Sequence, residues 1–244
     1  DLDRAEKVGQ SAAKRTLERL GASKAKTGKF PVIYDQRVAA SLVGSVASAI
    51  NGASVARGTS FLKDKLGEKI AADGLNFIDD PLRSRGMGSR PFDGEGCPVQ
   101  TRKMVEDGVL NGWFLDLASA AKLGLTTMGN AKRSLGSAPN PGSSNFYLEN
   151  GEIDLDDLIA DIKDGFFVTE LIGSSVDMIT GDYSRGAGGF WISNGKIAQP
   201  ISEATTAGNL KDMLLAVTRA NDIDMRDSIA SPSLRVDGMT VAGS

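Results

Sequence analysis

Histidine is absent from the 244 residues, and cysteine occurs once, as Cys97. Without histidine there is no Ser-His-Asp or Cys-His triad, no imidazole general base, and almost no route to a catalytic zinc site. Carboxylate chemistry, lysine-activated serine, a hard-metal site, or no chemistry at all remain. One cysteine rules out an internal disulfide framework and fits a reducing compartment, so a cytoplasmic location is expected. No segment reads as a signal peptide. The longest uncharged apolar run, residues 38–54, falls short of the roughly 20 residues of a membrane span, so no membrane association is expected. Basic residues are not in excess: 28 stand against 31 acidic ones, for a net charge of −3. No basic stripe offers itself to phosphate backbones, and nucleic acid is not an expected partner.

What is present reads as a chain able to bury a real core, 41% hydrophobic and 24% charged. Residues 3–20 have the period of an amphipathic helix, with Leu2, Ala5, Val8, Ala12, Leu17 and Leu20 roughly on one face and Gly21 as its stop. "FPVIY" at 30–34 reads as a short strand. In residues 38–50, Val38, Leu42, Val46 and Ile50 step by four, with Ala39, Val43 and Ala47 as a second apolar row. Gly44, Ser41, Ser45 and Ser48 supply the remaining surface, so this helix is expected to be buried on several sides and ended by Asn51-Gly52.

Beyond Gly67 the pattern changes to short strands between turn residues, which argues for antiparallel β structure. Strands are expected at 75–79 and 166–172, and helices at 118–123, at 155–162 behind Asp154 as cap, and at 209–220. Asp107-Gly108, Asn194-Gly195 and Asp237-Gly238 each predict a hairpin tip, because Asn-Gly and Asp-Gly satisfy the positive φ of a type I′ turn.

Three groups of residues invite a chemical reading. "SAAK" at Ser11 and Ser119, "SFLK" at Ser60 and "KTG" at Lys26 mimic a serine–lysine set, but fail on order because Lys26 precedes two of the serines and closely follows the third. "PFDGEG" sets Asp93 and Glu95 two apart, suited to an acid/base pair or a hard-metal site, or else to a solvated turn. "TGDYSRGAGGFWISNG" at 180–195 has neither GxGxxG nor a P-loop and leads into a strand. Its glycines read as a bulge or close approach, Asp182 and Arg185 as a local pair, and Phe190 and Trp191 as core or interface residues.

The wording of this last stretch within residues 168–213, with "GSRPFDGEG", "VEDGVLNGWFLDLASAAKLGL", "GNAKR" and "VAGS", resembles the TldD/PmbA family, historically called modulators of DNA gyrase. The resemblance covers residues 30–244 and is nearest to the PmbA/TldE-type branch. It implies an α+β, mainly antiparallel β fold, a curved barrel-like sheet with a few helices. It implies that residues 1–28 are a helix and linker leading out of a missing N-terminal α/β domain, and that 29–244 are the C-terminal β-rich domain. TldD-type members carry HExxxH on the helix after the strand matching "FPVIY", with a later cysteine completing a zinc site. Those motif positions fall here on Gly44, Ser45 and Ala49, and the region before "SPSLRV" that should hold the cysteine is shorter here and has none. The resemblance therefore implies a zinc-less, non-catalytic subunit, with no cofactor of its own and zinc only in a TldD-type partner. The pair would form a cytosolic metallopeptidase complex acting on unfolded or small peptides, with a homodimer expected when this subunit is alone. Asp93, Glu95, Asp182, Arg185, Phe190 and Trp191 are its candidate groove or interface residues. An independent carboxylate-based hydrolase and a gyrase-modulating binding protein are the alternatives.

Overall fold

The computed structural model describes residues 3–173 and 176–243. Leu2 and Ser244, which the sequence reading placed in the first helix and the closing motif, lie outside the described residues. The first part of the chain holds α1 (Ala5–Glu18), β1 (Ser23–Lys24), β2 (Gly28–Tyr34), α2 (Gln36–Ala49) and α3 (Gly52–Arg57). A middle part follows with β3 (Phe77–Asp79), β4 (Arg102–Glu106), β5 (Val109–Leu110), α4 (Leu117–Leu123), β6 (Ala131–Lys132), β7 (Asn140–Pro141) and β8 (Phe146–Leu148). The last part runs through α5 (Leu155–Ala160), β9 (Asp164–Ile172), β10 (Asp182–Ser193), β11 (Lys196–Asn209), α6 (Leu210–Ala216), β12 (Val217–Arg219), β13 (Ile229–Ala230) and β14 (Leu234–Gly243).

Five strands close into a barrel. The order β11-β10-β9-β2-β14 returns to β11 through the β11–β14 pairing, with β1 and β12 attached outside the ring. Closure removes the free edges that long strands would otherwise expose. The expected curved, mainly antiparallel sheet is therefore present, with parallel pairs at β2–β9, β1–β11 and β13–β8. Period-two alternation sorts the side chains. Val32, Tyr34, Phe166, Val168, Tyr183 and Trp191 belong to the main core. Ile33, Phe167 and Ile192 form a second cluster with Leu158, Ile159 and Ile162 at α5. A second sheet, ordered β13-β8-β3-β4-β5, stands apart from the barrel. Helix α2 contacts β2 and β9 of the barrel and β8 and β13 of that sheet, so one core runs through all three layers.

Two of the three predicted hairpin tips are present. Asp107-Gly108 joins β4 to β5 with φ of +48° and +77°, and Asn194-Gly195 joins β10 to β11 with +48° and +73°. Asp237-Gly238 is not a hairpin. β14 runs straight through it, and its register against β2 slips between Val236 and Met239. Both residues oppose Pro31, which has no N–H to donate, so a bulge with Gly238 at φ +74° absorbs the missing rung.

Other boundaries also differ. The helix expected to reach Ala220 stops at Ala216, because residues 217–219 pair with β14. α5 ends at Ala160, and Asp154 gives its side chain to Asn221 rather than capping the helix. The strand expected from Leu75 begins at Phe77. Asn51 ends α2 and then caps α3, accepting from the backbone of Ala53 and Ser54. α1 has no buried residue, and the expected apolar face stays open, with Val8 56%, Leu17 65% and Leu20 67% exposed. Ion pairs hold this helix near both ends instead, Asp3 to Arg226 and Arg19 to Glu170.

Candidate functional site

α2 is the element on which a family metal site would stand, so its faces come first. Asp35 caps it, accepting from the Arg37 backbone at 3.0 Å. Ala39, Leu42, Val43, Val46 and Ala49 are buried. The remaining stripe carries hydroxyls, and each closes onto its own helix: Ser41 donates to the Val38 carbonyl at 2.7 Å, Ser45 to Ser41 at 3.0 Å and Ser48 to Gly44 at 3.0 Å. A Cβ placed on Gly44 would meet Ile229 Cδ1 at 3.9 Å. Ala49 is fully buried, and its carbonyl accepts from Ser60 Oγ at 2.6 Å. Gly44, Ser45 and Ala49 thus present no nitrogen, sulfur or carboxylate ligand, and do not fit a zinc ion. Among the described residues no group of three or more His, Cys, Asp or Glu side chains is placed to hold a metal.

A cavity of about 490 Å³ lies beside the start of α2, lined by α1 (Ser11, Arg15), α2 (Gln36, Ala40) and the segment around Ile229 and Ser231. Gln36 Oε1 is enclosed there without a hydrogen-bond partner. The serine stripe and Gly44 were legible in the sequence as an uncharged surface. The cavity was not, because it needs residues from both ends of the chain.

The other candidate residues fall in three separate places. Asp93 is 3% exposed, and its carboxylate accepts from the backbone N–H of Glu95, Cys97 and Ala131. Glu95 turns away and accepts from the Leu117 N–H at 2.8 Å. Both carboxylates therefore hold backbone N–H groups, though the Asp93 side is buried rather than solvated. Asp182 and Arg185 do not pair with each other. Asp182 accepts from Thr180 Oγ1 at 2.8 Å and Asn209 Nδ2 at 2.9 Å, bonds that hold its carboxyl below the ordinary range. Arg185 donates to Ser41 Oγ at 3.2 Å, while its Nε is enclosed and unpartnered.

Trp191 is a core residue of this chain, 2% exposed. Phe30 meets it edge-on at 4.9 Å, Phe166 stacks at 6.5 Å, and its Nε1 donates to Asp164 at 3.0 Å. Lys26, and then Trp191, keep the Asp164 carboxyl below its usual value. Phe190 is half-buried against the α5 cluster. The glycines between these places do what the close-approach reading asked, since a Cβ on Gly189 would sit 2.0 Å from the Phe167 carbonyl.

Residues 27–243 match the family model for the PmbA/TldA metallopeptidase C-terminal domain. The chain belongs to the PmbA/TldD family. It is 42% identical over 244 residues to "Metalloprotease PmbA" of Escherichia coli O157:H7, covering 100% of this chain and 52% of that protein. A crystal structure from Bacteroides thetaiotaomicron VPI-5482, described as a modulator of DNA gyrase, superposes with a TM-score of 0.87 at 36% identity, over 97% of this chain and 52% of the other. The TldE structure from Thermococcus kodakarensis gives a TM-score of 0.86 at 25% identity, over 98% and 55%. The chain spans about half the length of the curated relatives it matches. Among the described residues, no helix is long and apolar enough to cross a membrane.

Proposed function

We propose that this chain is the β-rich part of a PmbA/TldE-type subunit that has no catalytic zinc of its own. In this reading it assembles in the cytoplasm with a TldD-type subunit carrying the zinc, and the complex processes unfolded or small peptides. The observation that carries the reading is the state of α2. The three positions matching HExxxH are Gly44, Ser45 and Ala49, and the helix hydroxyls are spent on its own carbonyls. A zinc peptidase needs about three ligands, an open coordination position and a base for the bound water. α2 offers none of these groups, and Val46 and Ala49 near its end are packed into the core while Ser48 faces outward. An independent carboxylate hydrolase is disfavoured by Asp93, Glu95 and Asp182, which are held by different backbone and side-chain donors and share no site.

The test is a set of peptidase assays on the full-length protein alone, on a TldD-type subunit alone, and on their mixture, each with and without chelator. Activity dependent on the TldD-type subunit and enhanced by this protein is expected. Stoichiometric zinc together with chelator-sensitive cleavage by this protein alone would refute the reading.

A further inference from the structure

The two motifs "GSRPFDGEG" and "GNAKR" meet in space, and neither is used by the reading above. Asp93 in the first accepts from the Ala131 N–H of the second at 3.0 Å, and Gly94 donates back to the Ala131 carbonyl at 2.8 Å. This pair of hydrogen bonds between the segments brings Arg90, which precedes Asp93, towards Asn130 and Lys132, which flank Ala131. Asp79, at the end of β3, lies beneath them and is 1% exposed. It accepts from Ser144 N at 2.6 Å, Ser144 Oγ at 2.9 Å and Asn130 Nδ2 at 3.1 Å.

Those donors hold the Asp79 carboxylate, which acts on Arg90 and Lys132 through its charge but makes no hydrogen bond or ion pair with either among the described residues. Arg90 Nε and Nη2 are enclosed and make no hydrogen bond, and Asn130 Oδ1, in a residue 4% exposed, is likewise unpartnered. Lys132 forms no ion pair among the described residues, and its stem lies against Gly142, where a Cβ would come within 2.9 Å of Lys132 Cδ. The two cations also act on each other: desolvation and then the Arg90 charge push the Lys132 ammonium down, against the smaller upward pull of Asp79, while burial pushes the Asp79 carboxyl up against the Ser144 hydrogen bonds and the two cations. Enclosed guanidinium donors without an acceptor leave the desolvation cost of a charge unmet. A fork of N–H groups beside an ammonium is the donor set that receives an oxyanion.

We infer that the Arg90–Asn130–Lys132 cluster is a binding site for a small oxyanion, a carboxylate or phosphate group, received by the Arg90 fork and neutralised by Lys132. Lys132 is exposed, so the site opens to solvent on its side. Asn130 adds an acceptor, which suits an anion carrying an O–H beside its charge, such as hydrogenphosphate. The inference is independent of the zinc-less reading and survives if that reading fails.

The experiment titrates the full-length protein with inorganic phosphate, and separately with acetate, against chloride at matched ionic strength. Thermal stability and backbone amide shifts around Asn130 are the readouts. Saturable binding of at least one anion is expected, weakened about tenfold or more by Arg90→Gln or Lys132→Gln and unchanged by Arg133→Gln. Tighter binding of phosphate assigns the site to phosphate-bearing ligands, and tighter binding of acetate to carboxylates such as a peptide terminus. If Arg90→Gln does not fold, the exposed Lys132→Gln decides alone. No saturable response beyond chloride, or binding indifferent to the surviving variants, overturns the inference.

Discussion

Replacing Trp191 by alanine should cost the folded chain about 4 kcal/mol, within the roughly 3–5 kcal/mol seen when a buried large aromatic is truncated. The side chain is 2% exposed, and a buried tryptophan removes about 150–250 Å² from water. At about 25 cal/mol per Å² that is about 4–6 kcal/mol, an upper figure because the unfolded chain already buries some of this area. The Phe30 and Phe166 rings would lose a shared neighbour and line a new void. The indole N–H bond to Asp164 adds less, since that carboxylate is also held by Lys26 and is partly open to water. Trp191→Phe keeps most of the ring and loses this bond, so about 1–2 kcal/mol is expected.

Urea unfolding followed by far-UV circular dichroism measures both, because fluorescence would lose one of the two tryptophans. A stabilised domain commonly has only about 5–15 kcal/mol to lose, so the alanine variant should unfold at visibly lower urea. Lys26, 5.3 Å above the ring, supplies a further check. A Lys26→Ala change should cost a few tenths of a kcal/mol with Trp191 present, and less in the Trp191→Ala background. If Trp191→Ala loses less than about 1 kcal/mol while abolishing self-association, Trp191 is an interface residue and the core argument is wrong.

Gly189→Ala should destabilise strongly or prevent folding, because its Cβ would lie 2.0 Å from the Phe167 carbonyl, whereas Gly9→Ala, with open space around it in α1, should be neutral or stabilise by up to about 1 kcal/mol; thermal melts of the two separate these outcomes. Acid should destabilise the fold. The Asp161, Asp164, Asp182 and Asp224 carboxyls are all held below their usual range, so the stability they contribute is present above the unfolded pKa of about 4 and is lost as pH falls through their lower folded values. Asp161→Asn, which removes the Arg235 partner, should flatten that loss in a pH series of urea midpoints, and an unchanged slope would contradict the assignment. The double change Gly44→His with Ala49→His should yield no chelator-sensitive peptidase activity in this protein alone, since a base and a third ligand are still lacking; cleavage at any measurable rate would reopen the question.

The local signals that were read correctly are those in which one residue type has few conformational choices. Asn194-Gly195 and Asp107-Gly108 demanded positive φ at two successive positions, and a hairpin supplies it. The same demand misled at Asp237-Gly238, because a bulge supplies positive φ as well. The deciding residue there, Pro31, lies two hundred positions away and becomes relevant only once β2 and β14 are neighbours. α1 shows a different limit: its apolar period was real, but a period says which residues share a face and nothing about whether that face meets anything. The early end of α6 is a third case, since residues 217–219 have helical neighbours in sequence but a strand partner in space. Of the candidate residues, Asp93 and Glu95 hold backbone N–H groups, but Asp93 does so from a buried position that a solvated turn does not describe, while Arg90 and Lys132 carried no signal beyond the motifs that contain them.

α2 joins the structural and functional sides of the proposal. A metal-bearing helix must keep one face wet, since the reaction consumes a metal-bound water. The Ala49 side of the α2 C-terminal end is instead closed by the Ser60 hydroxyl on the Ala49 carbonyl and by Phe114, whose N–H and carbonyl bind Ile50 and Gly52. A Cβ on Gly52 would strike Leu115 and the Phe114 carbonyl at 2.5 and 2.6 Å, so that contact leaves no slack. Each buried aliphatic side chain on this helix contributes about 1.5–3 kcal/mol by leaving water. Under the zinc-less reading, the loss of ligands and the closing of the core reinforce each other: once no ion requires water at this place, apolar packing there stabilises the subunit. Putting an imidazole at Ala49 would then carry two costs, an overpacked core and a desolvated ring, on the order of 1–3 kcal/mol each. Solvent reaches α2 along the serine stripe, where Ser48 is exposed, and at its other end, where Gln36 and Ala40 line the cavity beside α1.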